Sequence, residues 1–255
     1  MYRLRATPAE VVCTLLVGMH RGSLSVAEEI TGHQVETIRR WLRAAAPHAE
    51  VITQVLVHDL HLSEVKLEDE VAPKVVAQTR QRTQGQRGVV WISDGRPVYR
   101  RAVGRIDRDA QPTGKRGRPP LVLTPGVGLT QAVKRRYQGR MVRVEVRQVL
   151  GEAVDCPYPV HEERLNGMLR DRLNALTRKT HAFAKTTGTW DALVILCLFE
   201  HNWLRPHRAL REAGEGLPEG RRYRPRTPAM AIGLTDHIWT WEEFLTFKHY
   251  QYQKE

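Results

Sequence analysis

Apolar positions near the start of the chain recur at helical spacing. Val11, Val12, Leu15, Leu16 and Met19 follow Thr7-Pro8-Ala9-Glu10, which supplies an N-cap, Pro at the first helical position and Glu at the third. The pattern predicts a helix from Pro8 that Arg21-Gly22-Ser23 stops. Ser25-Val26-Ala27-Glu28-Glu29-Ile30 predicts a second helix capped by Ser25, and Thr31-Gly32-His33 a short turn. Gln34–Ala45 predicts a third helix with Val35, Ile38, Trp41 and Leu42 inward, ended by Pro47.

Past Pro47 the period changes. Glu50–Asp59 fits a helix or a connector, and His61–Val71 alternates at Leu62, Val65 and Leu67. Lys74–Thr83 predicts a short polar helix. Gly88–Ser93 is a continuous β-branched and aromatic run, which predicts a buried strand ending at an Asp94-Gly95 turn. Arg96–Val103 opens a helix, and Asp107–Gly128 is a Pro- and Gly-rich loop. Val133–Val149 predicts a hairpin turning at Gln138-Gly139, with Val142, Val144 and Val146 alternating with Arg143, Glu145 and Arg147. Glu162–Arg178 predicts an amphipathic helix striped by Leu165, Leu169, Leu173 and Leu176. Trp190–Trp203 predicts a core helix that Arg205-Pro206 terminates. Glu212–Arg226 reads as a polar loop and Thr240–Tyr250 as a last short helix. Trp190, Trp203, Trp239 and Trp241 are expected in the core. Strands and helices together make the expected class α+β.

Composition narrows the picture. A 255-residue chain with 41% apolar residues is long enough for one or two folded domains. The longest apolar run, Ala192–Phe199, is far below the roughly 20 residues of a membrane helix. The N-terminus lacks the apolar stretch of a secretion signal. Cys13, Cys156 and Cys197 are too far apart for a zinc motif, which suggests reduced thiols in a cytosol. The eleven histidines show no metal-binding spacing, and capping or packing is the expected role of His201 and His207.

Charge changes the picture most. The net charge is +12, and residues 80–147 alone carry 17 basic against 4 acidic side chains. All of these cations except Lys115 and Lys134 are arginine, whose planar fork bonds phosphate oxygens in pairs. Such a block predicts a polyanion partner, above all nucleic acid, although a solvated basic loop has the same composition. The two short helices around Gly32 fit a helix-turn-helix. The second would present Gln34, Glu36, Thr37, Arg39, Arg40 and Arg43 to a major groove. A plain three-helix bundle with a charged face fits the same residues. Lys115-Arg116-Gly117-Arg118-Pro119 resembles a minor-groove hook built on Arg116 and Arg118, although for one copy in an arginine-rich loop a plain basic loop is the better fit.

Three carboxylates are candidates for metal chemistry. Asp94 follows the buried strand, Glu163 stands in the first turn of a long helix, and Asp69 follows a short apolar stretch. Acids from separate elements can share two magnesium ions, with water and phosphate filling the remaining positions. Arg170 lies seven positions after Glu163, two turns along the same helix face.

Several strings resemble bacterial insertion-sequence transposases of the DDE type. They are Val89-Val90-Trp91-Ile92-Ser93-Asp94-Gly95 with Tyr99, Glu163-Arg164-Leu165-Asn166-Gly167 through Leu173, Thr177-Arg178-Lys179-Thr180 with Phe183-Ala184-Lys185, Asn202-Trp203-Leu204-Arg205-Pro206-His207-Arg208, and Arg226-Thr227-Pro228-Ala229. The resemblance runs from about Trp91 to Phe244, and the N-terminal helices suit it. It implies a helix-turn-helix module over 1–60 and a ribonuclease-H-like core over 61–255, with a basic loop over 104–132 and C-terminal helices. It implies Asp69, Asp94 and Glu163 as ligands of two Mg2+ ions and Arg170 as a DNA contact. It also implies double-stranded DNA as partner, a multimer on paired ends, no membrane and a cytoplasmic, nucleoid-associated location. One departure stands out. Only 25 positions separate Asp69 from Asp94, too few for the two further strands and helix that this core places there. The spacing implies an internal deletion between 70 and 88 that weakens catalysis. A catalytically dead DNA-binding remnant and a helix-turn-helix regulator are the alternatives.

Overall fold

The computed structural model describes residues 6–20, 22–58, 60, 64–67, 72–83, 86, 88–106, 108–114, 116–151, 160–177, 184, 186–214 and 222–248, with the backbone alone at 64, 66, 67, 72–75, 106 and 160–163. The fold is mixed α+β and forms two compact units, Met1–Val57 with Gly167–Glu255, and His58–Asn166.

Helix α1 spans Pro8–Met19 and starts with the expected capping box between Thr7 and Glu10. Helix α2 spans Leu24–Thr31, and its cap is Ser23 rather than Ser25. Ser23 has the extended backbone that an N-cap needs, and its hydroxyl accepts the Val26 N–H at 3.1 Å. Gly32 closes α2 in the left-handed region at φ 73°. Helix α3 spans Val35–Leu56. Its first N–H donates to Glu28 Oε1 on α2 at 3.2 Å, fixing the turn between the two helices.

Pro47 does not end α3. Ile38, Trp41, Leu42, Ala45, Ala46, Ala49 and Ile52 form one buried stripe that continues past the proline, whose own ring faces outward. Burial of Ala49 and Ile52 offsets the roughly 3 kcal/mol that an interior proline costs a helix. The residues read as a separate helix or connector from Glu50 are the second half of this one.

The second unit is built on a four-stranded sheet of order β1-β2-β5-β6. Strand β1 is Glu64–Leu67, and helix α4, Ala72–Arg82, leads to β2, Val90–Asp94. Helix α5, Pro97–Ile106, follows. The expected loop over Asp107–Gly128 instead contains an antiparallel pair, β3 Arg108–Ala110 and β4 Leu121–Leu123. Strand β5 is Gly128–Tyr137 and β6 is Arg140–Gly151. β1, β2 and β5 run parallel and β6 antiparallel to β5. Trp91, Leu129, Tyr99, Ala102, Val103 and Val76 pack together, so α4 and α5 cover one sheet face. The range 104–132 is therefore the end of a helix, a small hairpin and the start of β5, not a single loop. The β5–β6 turn has both Gln138 (φ 47°) and Gly139 (φ 78°) at positive φ, the geometry that matches strand twist in a two-residue hairpin.

Helix α6 spans Val160–Arg172, and Leu173 leaves helical geometry at ψ 106°. The expected helix to Arg178 thus stops early, and a single 3-10 turn covers Asn174–Leu176. Helix α7 spans Thr187–Phe199 and widens into a π-helical turn, Glu200–Leu204, closed by the Arg205 N–H on the Glu200 carbonyl at 2.9 Å. The expected loop over Glu212–Arg226 contains a short antiparallel ribbon, β7 Glu212–Ala213 with β8 Tyr223–Arg224. Helix α8 spans Pro228–Ala231. Helix α9 spans Trp241–Thr246 behind a Thr240/Glu243 capping box, shorter than Thr240–Tyr250, whose last residue lies outside the described ones. Phe199, Trp203, Trp239 and Phe244 stack at centroid distances of 4.7–6.1 Å and share one core with Leu15, Ile38, Trp41 and Ile52. The N-terminal helices are therefore packed with the C-terminal ones, whereas the sequence sets 1–60 apart. Trp190, in the first turn of α7, is 42% exposed, and Trp241 is half-buried.

Candidate active site and nucleic-acid interface

Asp94 ends β2, an inner strand flanked by parallel β1 and β5. Carboxyl ends of parallel strands are where open α/β sheets bind ligands. Side-chain alternation puts Asp94 on the face of Ile92, opposite Trp91. Its Oδ1 accepts the Arg96 N–H at 3.1 Å, and Arg96 Nε stands 3.5 Å from Oδ2. Gln131, buried on β5, fixes the strand end by donating to the Asp94 carbonyl at 2.7 Å and the Arg96 carbonyl at 3.0 Å. Gly95 is required by close approach, since a Cβ there would stand 2.9 Å from Val133 Cγ2. The carboxylate itself is 40% exposed and keeps lone pairs for a further partner.

Of the other two acids, Asp69 lies outside the described residues. Glu163 lies on the α6 backbone, and its side chain is not described. Among the described residues no group of three or more His, Cys, Asp or Glu is placed to hold a metal ion. Arg170 is exposed on α6.

The cations fall into separate surfaces. On α3, Arg40 and Arg43 are exposed, as is Gln34 just ahead of the helix. Thr37 and Arg39 are half-buried, and Arg39 pairs with Glu36 at 3.2 Å. Arg116 and Arg118 are exposed in the turn between β3 and β4. Helix α5 buries Tyr99, Ala102 and Val103 and turns Arg100, Arg101 and Arg105 outward, where with Arg108 they line an open groove. The sequence carries a signal for this in the four-residue spacing of Arg101 and Arg105, which the overall arginine count of 80–147 conceals.

The β5–β6 hairpin exposes Lys134, Arg135, Arg136, Arg140, Arg143 and Arg147. Glu145 bridges Arg135 at 2.7 Å and Arg147 at 2.8 Å. Hydrogen bonds from Arg147 and then Arg135 hold its carboxyl down at about 2. Among the described residues Arg136, Arg140 and Arg143 make no ion pair. The apolar alternation on β6 does not mark a buried face, for Val142 is 64% exposed and Val146 is exposed too. The hairpin end extends beyond the packed part of the sheet.

A different cluster lies in the helical unit. Glu200 Oε2 stands 3.0 Å from both His20 Nε2 and Arg172 Nη1. Burial opposes its charge, but His20 and Arg172 outweigh burial and hold the carboxyl below its usual range. Beside it, burial pushes His201 down to about 4, helped by the charges of His207, Arg205 and Arg172. The His207 ring lies 4.2 Å away, with Nε2 3.1 Å from the His201 carbonyl. Burial also raises the Cys197 thiol to about 11. These groups tie α1, α6 and the π-helical turn together, and a neutral His201 fits the packing role expected of it.

Comparison with protein-family models, with curated proteins and with solved structures gives no match. Among the described residues no helix is long and apolar enough to cross a membrane.

Proposed function

We propose that this chain is a DNA-binding protein of the DDE transposase type, acting on the ends of an insertion sequence. The observation that carries the reading is Asp94. It stands at the carboxyl end of an inner parallel strand, in a unit whose α5 face and β5–β6 hairpin both present arginines. A parallel β1-β2-β5 core with an acid at its strand end supports a ribonuclease-H-like arrangement. The Gly32 turn and exposed Arg40 and Arg43 on α3 support a helix-turn-helix.

Asp94 offers a hard, half-exposed oxygen donor, which fits magnesium. Asp94, with Asp69 and Glu163 from the resemblance, would hold it. When bound, magnesium would supply activation of a water and stabilisation of the leaving oxygen of a phosphodiester. The chain's own residues do the rest. Gln131 and Gly95 fix the Asp94 backbone, and Arg96 neutralises the acid when no metal competes. Arg136, Arg140 and Arg143 take phosphates along the strand, and Arg116, Arg118 and Arg170 add further contacts. Double-stranded DNA is the partner, and self-association on paired ends and a nucleoid location follow from the same reading.

The second reading is a catalytically dead remnant that binds ends and blocks a complete enzyme. It is favoured because α4 is the single described element between β1 and β2. Magnesium-dependent nicking of an end oligonucleotide, compared with Asp94→Asn, separates the two. Nicking that Asp94→Asn abolishes supports the enzyme. Equal traces from both proteins sink catalysis and leave the remnant. DNA affinity should fall steeply with salt, with a slope of about −0.9 per phosphate neutralised.

A further inference from the structure

The arginines of the C-terminal third are hidden in its overall charge. Residues 148–255 carry 15 basic and 14 acidic side chains, yet 205–226 hold seven arginines and three acids. The β7–β8 ribbon brings its two ends together, pairing Ala213 with Tyr223. Beside the ribbon lies an open groove of about 510 Å³, whose lining includes His207, Arg208, Arg211, Arg222 and Tyr223 between Pro206 and Pro225. Among the described residues no carboxylate lines it. Glu212 is turned instead to Arg226, whose Nη1 it meets at 3.0 Å, and Arg226 Nη2 donates to the Met230 carbonyl. The described lining of the groove is thus cationic. Within it the Arg211 guanidinium lies 4.0 Å over the Tyr223 ring, and Tyr223 is itself 43% exposed.

We infer that this groove binds single-stranded nucleic acid. A guanidinium stacked on an aromatic ring is a flat, cationic platform that a nucleobase extends by stacking. Arg208 and Arg222 beside it take the neighbouring phosphates. A base offers its face only when unpaired, so the groove selects single strands over duplex. The surface lies in the helical unit, apart from Asp94 and the β5–β6 hairpin in sequence, and it stands whether or not the chain cuts DNA.

The test is fluorescence anisotropy with a labelled ten-nucleotide oligo-dT and a hairpin duplex of equal phosphate count. Wild type, Tyr223→Ala, Tyr223→Phe, Arg208→Ala with Arg222→Ala, and a control Arg136→Ala with Arg143→Ala are compared. Tyr223→Ala should weaken oligo-dT binding between about fivefold and about 150-fold, the range for one base stacked on an aromatic side chain. Its duplex affinity should stay within twofold, and Tyr223→Phe should bind as wild type. The Arg136/Arg143 control should weaken duplex binding at least as much as oligo-dT binding. If Tyr223→Ala lowers the melting temperature, the exposed Arg208/Arg222 pair carries the same prediction for oligo-dT. Oligo-dT binding within twofold of wild type in both groove variants overturns the inference. So does an equal loss on duplex and single strand.

Discussion

Glu200 offers the sharpest test of how the helical unit is held together. Its carboxylate is 11% exposed, meets Arg172 (19% exposed) and His20 at 3.0 Å each, and links α1, α6 and the π-helical turn. Glu200→Gln keeps the side-chain shape and removes the charge, leaving the Arg172 guanidinium largely buried without its counter-ion. Breaking a buried pair from one side costs about 3–5 kcal/mol, and the residual exposure of both partners places this one near about 3 kcal/mol. For a chain of this size that loss corresponds to a fall in Tm of about 6–12 °C. Urea unfolding followed by circular dichroism should show the midpoint falling with the slope unchanged. Glu200→Leu combined with Arg172→Met removes both charges together and should recover most of the loss. A single-variant cost below about 1 kcal/mol, or a double variant no better than the single, would refute the account.

His201 predicts a response to acid. Its folded pKa is about 4, below the usual 6.5. Between those values the unfolded chain takes up a proton that the folded chain refuses. Stability is therefore full above about pH 6.5 and falls as pH drops toward 4. Glu200, also held below its usual range, acts in the same direction as it protonates. Melting curves from pH 7 to 4 should show the fall, and His201→Gln should flatten part of it; a wild type equally stable at pH 7 and pH 4.5 contradicts the assignment. Gly95→Ala should cost about 1–3 kcal/mol, because its Cβ meets the stiff Val133 side chain at 2.9 Å. Adding Val133→Ala should return much of the loss, and a Gly95→Ala midpoint equal to wild type would show that the strand end gives way freely.

Much of the local structure was legible in the sequence. The Thr7/Glu10 box, the buried run into Asp94 and the Gln138-Gly139 turn all depend on bonds within a few residues, so the sequence carries them directly. The cap of α2 shows the limit of such signals. Ser23 and Ser25 both suit an N-cap, and the choice fell to the one with extended backbone. Of the candidate acids, Asp94 was legible because a strand end and an Asp-Gly turn coincide there. Asp69 and the Glu163 side chain lie outside the described residues.

The sequence by itself determined the mixed α+β class, the excess of arginine over 80–147 and most element starts. Those properties are set by composition and by neighbours along the chain. Only the tertiary structure decided that α3 passes through Pro47, because the compensating burial comes from helices far away in sequence. Only it decided that Val142 and Val146 stay exposed, because alternation marks a face without saying what covers it. It alone separated engaged cations from available ones. Glu145 occupies Arg135 and Arg147, and Glu212 turns away to Arg226, leaving Arg211 stacked on Tyr223. A charge count sums such residues equally, whereas an ion pair depends on distances that folding alone sets.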